Sequence, residues 1–419
     1  MKRLCLIGLI LAFVVSCKDD DDQIIIQCEI PTNLSVSSIS DVSATVSWEN
    51  NNETQNVKVE YGLSGFVIGN GTILEVSENS ITLSNLNPNS VYDFYVQALC
   101  EVDNISMISS PFSFNTEVSQ VVAELLPTLS EMNLFLGNLQ ELNMSPNVFE
   151  YKLNTALYTD YAHKQRILSL PEGTSLQYDG DGLPIFPEGT VLAKTFYYNL
   201  DETNLTLGKK VIETRILIRK NNVWQIGNYL WNDSQDEAFL DEEAHVVPIT
   251  WINENGEEIS IDYEVPDNDS CIMCHQNNGN KIPIGPKLRS MNFEFNGINQ
   301  LQKFINDGHL INAPNVSSIS SLPSWENTSL SDAERTRAYF DVNCAHCHSP
   351  GGLHNTNYFG TMDFRFETPF EDSKIFEKRY SIMARFQSSI PGYSMPFIGV
   401  SLPHQEAIDL IIPYLESLE

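Results

Sequence analysis

The stretch Asp341-Val342-Asn343-Cys344-Ala345-His346-Cys347-His348 constrains this chain more than any other. On a helical turn Cys344, Cys347 and His348 fall at i, i+3 and i+4, so two thiols and one imidazole share a face. That arrangement is the attachment pattern of a c-type haem, in which the thiols bond the porphyrin's two vinyl groups and the imidazole reaches the iron. The same spacing recurs at Cys271-Ile272-Met273-Cys274-His275. The competing readings are chance or zinc, and zinc usually takes a second pair of ligands at similar spacing. Two covalent haems c are the expected cofactors, attached at Cys271, Cys274, Cys344 and Cys347, with His275 and His348 as proximal ligands.

At 419 residues the chain is too long for one ordinary core, and two to four domains are expected. Its 55 acidic against 24 basic side chains give a net charge of −31, which argues against nucleic acid as a partner. Such a surface also repels anionic headgroups, so membrane attachment would depend on an anchor. Lys2 and Arg3 precede an apolar run, Leu4 to Val15, that is too short to span a bilayer and reads as a secretory signal over residues 1–16. The run ends in Val14-Val15-Ser16-Cys17, which resembles a bacterial lipobox and implies acylation of Cys17; a plain signal peptide is the other reading. Residues 17–29 then form an acidic tether, whose Lys18-Asp19-Asp20-Asp21-Asp22 resembles the export signal of surface lipoproteins. As bare physics the run is a solvated charge cluster. The expected location is outside the cytoplasm, as an outer-membrane lipoprotein facing the periplasm or the cell surface. Once Cys5 leaves with the signal, Cys17 takes lipid and four cysteines take haem, Cys28 and Cys100 remain and are expected to pair.

From 30 to 117 short alternating strands are separated by turn signals: Ala44 to Trp48, Val57 to Tyr61, Ser80 to Leu83 and Tyr92 to Leu99. With Pro31, Leu34, Trp48, Leu86-Asn87-Pro88, Tyr92 and Tyr95, this segment resembles a fibronectin type III domain, and Tyr92 matches the tyrosine-corner position. That likeness implies a β-sandwich acting as a spacer or as a module for carbohydrate or protein. Residues 118–146 carry Leu125, Leu129, Met132, Leu136 and Leu139 at roughly helical spacing and are expected to form a helical linker. A β-rich domain is expected over 147–270, with strands at Val191 to Tyr198, Val211 to Arg219, Val223 to Trp231, Val246 to Ile252 and Glu258 to Val265. Asn255-Gly256 marks a tight hairpin between the last two. Phe186-Pro187-Glu188-Gly189-Thr190-Val191, together with a β segment that ends in a haem motif, resembles the cytochrome P460 group.

Residues 271–329 are the first haem-binding segment. From 330 to 419 the order is a helix opened by the capping box Ser331-Asp332-Ala333-Glu334, then the haem motif, a loop with Tyr393-Ser394-Met395-Pro396, and a closing helix containing Pro413. This order resembles a class I cytochrome c, an all-α domain, and the resemblance implies that Met395 is the second iron ligand. Phe149 to Lys164, the β segment, Ile284-Gly285-Pro286-Lys287 after the first haem motif and the terminal domain together resemble an uncharacterised family of secreted di-haem cytochromes over roughly the last three hundred residues. A His/Met pair fills both axial positions and suits electron transfer. The first haem has no comparable partner: Met291, His309 and His245 are candidates, and with none of them its iron would be open to a small molecule. His346 is expected to point into solvent. The expected function is a membrane-anchored di-haem electron carrier with unidentified redox partners. The alternatives are a haem enzyme or gas sensor at the first site, and an adhesive or glycan-binding protein through the sandwich.

Overall fold

The computed structural model describes residues 27–52, 56–101 and 104–419. The signal segment, Cys17 and the acidic run Lys18 to Asp22 lie outside the described residues. No helix among the described residues is long and apolar enough to cross a membrane. The chain divides into two compact units, one ending at Val118 and the other running from Ser119 to Glu419.

The first unit is built from β1 (Thr32–Ser37), β2 (Ser43–Glu49), β3 (Val57–Leu63), β4 (Thr72–Val76), β5 (Ser80–Ser84), β6 (Val91–Glu101), β7 (Asn104–Ile105) and β8 (Phe112–Asn115). One antiparallel sheet runs β1-β2-β5; the other runs β4-β3-β6, with β7 and β8 both paired to β6. Period-two alternation turns Ala44, Val46 and Trp48 inward to meet Val57, Val59, Phe94 and Val96 in a single core. The backbone N–H of Asn87 donates to the Tyr92 hydroxyl at 2.9 Å, which closes a tyrosine corner. A disulfide joins Cys28, ahead of β1, to Cys100 in β6.

The second unit opens with residues 119–146, where the sequence leads one to expect a helix and the structure has none. Two isolated 3-10 turns, Ser130–Met132 and Leu139–Glu141, interrupt irregular chain. Asn133 and Leu142 adopt left-handed backbone angles (φ 56° and 58°) that stop each turn. Leu129, Met132 and Leu139 do bury, but against a sheet. Apolar residues three or four apart are also what a repeatedly turning chain lays onto a flat surface. The segment is stitched to a sheet edge by Leu129 N–H to the Ala238 carbonyl, 2.9 Å, and Leu240 N–H to the Pro127 carbonyl, 3.0 Å.

That sheet comprises β9 (Val148–Glu150), β10 (His163–Ser169), β12 (Val191–Asn199), β13 (Lys209–Lys220), β14 (Val223–Trp231) and β15 (Ala238–Asp241), while β11 (Leu176–Gln177) lies apart. It is antiparallel in the order β15-β14-β13-β12-β10-β9. One face sends Ile167, Ala193, Ile216 and Tyr229 toward residues 119–146. The other sends Leu168, Leu192, Leu217 and Trp224 toward α1 (Asn268–Cys274), α2 (Leu288–Met291) and α3 (Gln300–Asn306). Farther along this second face, Phe196, Tyr198 and Ile212 meet Trp251 and Tyr263 of a hairpin made by β16 (His245–Ile252) and β17 (Glu258–Val265). The hairpin turns at Gly256, whose φ of 79° a residue with a Cβ would resist.

Beyond Leu330 the described residues hold four helices and no strand: α4 (Asp332–Asn343), α5 (Leu353–Asn357), α6 (Ile375–Phe386) and α7 (Gln405–Glu416). Ser331 and Glu334 satisfy each other's backbone N–H groups at the start of α4. Ala338, Tyr339, Ile375, Ala407, Ile411 and Leu415 form the core where α4 and α6 pack on α7. Pro413 sits inside α7 and removes the donor that the Asp409 carbonyl would take in a regular helix, yet the helix continues to Glu416.

Candidate functional site

Asp267 caps α1 by accepting from Ser270 N–H at 2.8 Å, and the helix then presents Cys271 and Cys274 before ending at His275. The His275 Nδ1 lies 2.8 Å from the Ile282 carbonyl. A carbonyl only accepts, so Nδ1 carries the proton and Nε2 is left with its lone pair. This is how a ligating histidine is held in one tautomer. Burial, with Lys194 adding to it, pushes the His275 pKa down to about 3, so the ring stays neutral at physiological pH.

The second motif follows α4. The His348 N–H donates to the Cys344 carbonyl at 2.9 Å, continuing the helical turn past the helix end. Asn343 accepts from the Tyr158 N–H at 2.7 Å and donates to the Tyr339 carbonyl at 3.1 Å, which anchors the motif to the β-rich part of the unit. Cys344, Cys347 and His348 line a cavity of about 700 Å³ that is also lined by Met362, Arg385 and Met395. Its volume falls in the roughly 300–1,000 Å³ range of cofactor and ligand sites. The Met395 loop is fixed to the end of α6, with Met395 N–H donating to the Arg385 carbonyl and the Arg385 guanidinium donating to the Tyr393 carbonyl, both at 3.0 Å. His348 is buried, its Nδ1 has no hydrogen-bond partner, and burial pushes its pKa down to about 3.

The two motifs, 73 positions apart, meet. Ligand atoms of Cys274, His346 and Cys347 all lie within 4.8 Å of one another. Asn278 N–H donates to the Gly351 carbonyl at 2.8 Å, and the Asn277 amide donates to the Pro350 carbonyl at 3.0 Å, so the segments behind both motifs are tied together. Hydrogen bonding from Cys347, helped by His346, holds the Cys274 thiol below its ordinary pKa. His346 is therefore half-buried between cysteines, where the sequence placed it in solvent.

The three candidates for the first site's second ligand are engaged as follows. Met291 is 1% exposed in the apolar core that also holds Cys271, His309 stacks on Phe149 at 4.0 Å, and His245 lies 3.0 Å from Asp241. Met362 was not singled out by the sequence, since no Met-Pro or helix boundary marks it, yet it lines the second cavity with Met395.

The residues present fit haem: neutral histidines at both motifs, a bare Nε2 on His275, an orphaned buried nitrogen on His348, and a cavity with thioether donors. They also fit a metal ion, through the three donors of Cys274, His346 and Cys347.

Among curated proteins none matches the chain. Solved structures that resemble part of it are the FN1-FN3 domains of chicken CNTN1 (26% identity, 21% of this chain and 30% of that one, TM-score 0.20) and the fn3 domain of human contactin 1 (22%, 26% and 90%, TM-score 0.21). The FN5 domain of Drosophila Lar is similar at 17% identity, covering 21% of this chain and 96% of that one, with TM-score 0.19. The family described as fibronectin type III domain matches residues 29–114. Together with the two sheets and the Tyr92 corner, that match makes the amino-terminal sandwich a fibronectin type III domain.

Proposed function

We propose that the chain is a di-haem c-type cytochrome, exported and lipid-anchored through Cys17, that carries electrons. The observation that carries this reading is the meeting of two Cys-X-X-Cys-His motifs, each with a buried, neutral histidine. Haem, when attached, supplies a reversible one-electron iron couple. Cys271, Cys274, Cys344 and Cys347 hold it; His275 and His348 are proximal ligands, and Met395 is the second ligand in the helical part, which acts as a class I cytochrome c domain. Arg385 keeps the Met395 loop in place. Because Cys274 and Cys347 are neighbours, the two attachment points bring both redox centres within one short path.

A second reading has its own support. Cys274, His346 and Cys347 can hold a metal ion such as zinc if the cysteines are not bonded to porphyrin. The fibronectin type III domain fits an adhesive role as well. A potentiometric titration followed by absorption spectra separates these readings. An electron carrier takes up two electrons reversibly, with a low-spin signature from the His348/Met395 site. A protein inert to reductants and colourless in the haem region overturns the proposal.

A further inference from the structure

The six-stranded sheet carries a group of cations that electron transfer does not use. Arg166 of β10, Lys194 of β12, Arg215 of β13 and Asn228 of β14 are direct cross-strand partners, so one polar row spans four neighbouring strands. Lys164, two positions before Arg166, stands beside the row on the same face. Leu168, Leu192 and Leu217 share that parity and pack with Cys271 of the first motif, while Phe196 lies in the core under β16 and β17. The row therefore runs between two apolar patches, with Arg166 and Asn228 buried and the other three half-buried.

Like charges placed directly across strands repel, and burying an ion without a partner is costly. Glu213 relieves one of these cations by pairing with Arg215, and it also accepts from the Tyr263 hydroxyl at 2.7 Å. Lys164, Lys194 and Arg215 reach over the Phe196 ring, at 5.7, 5.3 and 4.5 Å from its centre. The nearby carboxylates are committed elsewhere: Glu150 pairs with Lys152, and Asp160 accepts from the N–H groups of Ser401 and Leu402. Among the described residues Lys164, Arg166 and Lys194 have no carboxylate partner; Lys164 Nζ donates to the Ala162 carbonyl at 2.7 Å, while Arg166 Nη2 and Asn228 Oδ1 have no hydrogen-bond partner. Arg166, buried with its Nη2 unpartnered, keeps an unmet donor that an acceptor from outside the polypeptide would satisfy.

We propose that this row binds the carboxylate or small oxyanion group of a ligand, through Arg166, Lys194 and Lys164. Two sources share that chemistry. One is the pair of porphyrin carboxylates of a haem at the first motif, which rests on the function proposed above; the other is a free oxyanion.

The test uses the full-length protein in two forms, wild type and a Cys271→Ser, Cys274→Ser variant, with haem counted by intact mass and acetate titrated into each by calorimetry. Acetate binding to the haem-bearing wild type assigns the site to a free anion. Binding confined to the cysteine variant assigns it to the porphyrin carboxylates. Either result supports the site, provided Arg166→Gln and Lys194→Gln, made singly, weaken binding at least tenfold with an unchanged far-ultraviolet circular dichroism spectrum. Because Lys194 is half-buried, its variant keeps the test decisive if Arg166→Gln fails to fold. Acetate binding absent from both forms, or unchanged by the substitutions, overturns the proposal. A wild type with no haem at the first motif would instead count against the proposed function, and the acetate titration would still decide the anion site.

Discussion

The two Cys-X-X-Cys-His motifs are nearly identical as sequence and differ in what surrounds them. The first sits at the end of a seven-residue helix against a charged stretch of β-sheet, and a backbone carbonyl fixes its histidine. The second follows a twelve-residue helix and opens on a cavity with two methionines. On the proposed function, attachment chemistry is thus local, written in five residues, whereas what faces each histidine is set by tertiary packing. That packing sets the first site beside a row of cations and gives the second a thioether within reach of its cavity.

The largest expected effect comes from deleting each site in turn. Cys271→Ser with Cys274→Ser, and Cys344→Ser with Cys347→Ser, should each remove one haem by intact mass and leave the spectrum of the other. Identical residual spectra would break the distinction between the sites. Next in size, Met395→Ala should keep haem attached, shift the second site toward high spin and lower its potential, because a soft ligand that favours ferrous iron is lost. Met362→Ala should leave the spin state unchanged; a redox titration with spectra that shows the reverse would make Met362 the ligand.

One pH effect lies in the second region. His404 precedes the first residue of α7, stacks on Tyr158 at 3.9 Å, and has its Nδ1 3.0 Å from the Tyr339 hydroxyl. Burial pushes its pKa from 6.5 down to about 4, against the opposing pull of Glu406. A histidine depressed in the folded state contributes stability that is complete above its unfolded pKa. That contribution is lost as pH falls from about 6.5 through about 4 and is worth roughly 3 kcal/mol at most. Urea titrations at pH 7 and pH 4 should show this loss in wild type and a smaller one in His404→Gln. The smallest effect is Ser331→Ala, which removes the capping box of α4 and should cost about 1 kcal/mol in the same assay.

Much of this was legible in the sequence where pattern and local chemistry coincide. Alternation located β12 to β14, β16 and β17, because each of those strands turns apolar residues to a packed face. The capping box at Ser331 likewise marked the start of α4. Residues 118–146 misled because leucines spaced for a helix face were serving a sheet; Asn133 is a residue type that tolerates the left-handed turn, whereas left-handed Leu142 gives no warning. The contact between the motifs left no trace in spacing, and so His346 was assigned to solvent. The cationic row did leave one: Lys164, Arg166, Lys194 and Arg215 occupy the same parity as Leu168, Leu192 and Leu217. Only the pairing of the strands, which is non-local, turns those separate oddities into one site.

The central claim is that both motifs carry covalent haem. Intact mass of the full chain, produced together with haem-attachment machinery and followed by peptide mapping around Cys271 to His275 and Cys344 to His348, tests it most directly. The account expects two haem additions, one on each peptide. A mature protein with free or zinc-bound thiols at Cys274 and Cys347 would contradict it.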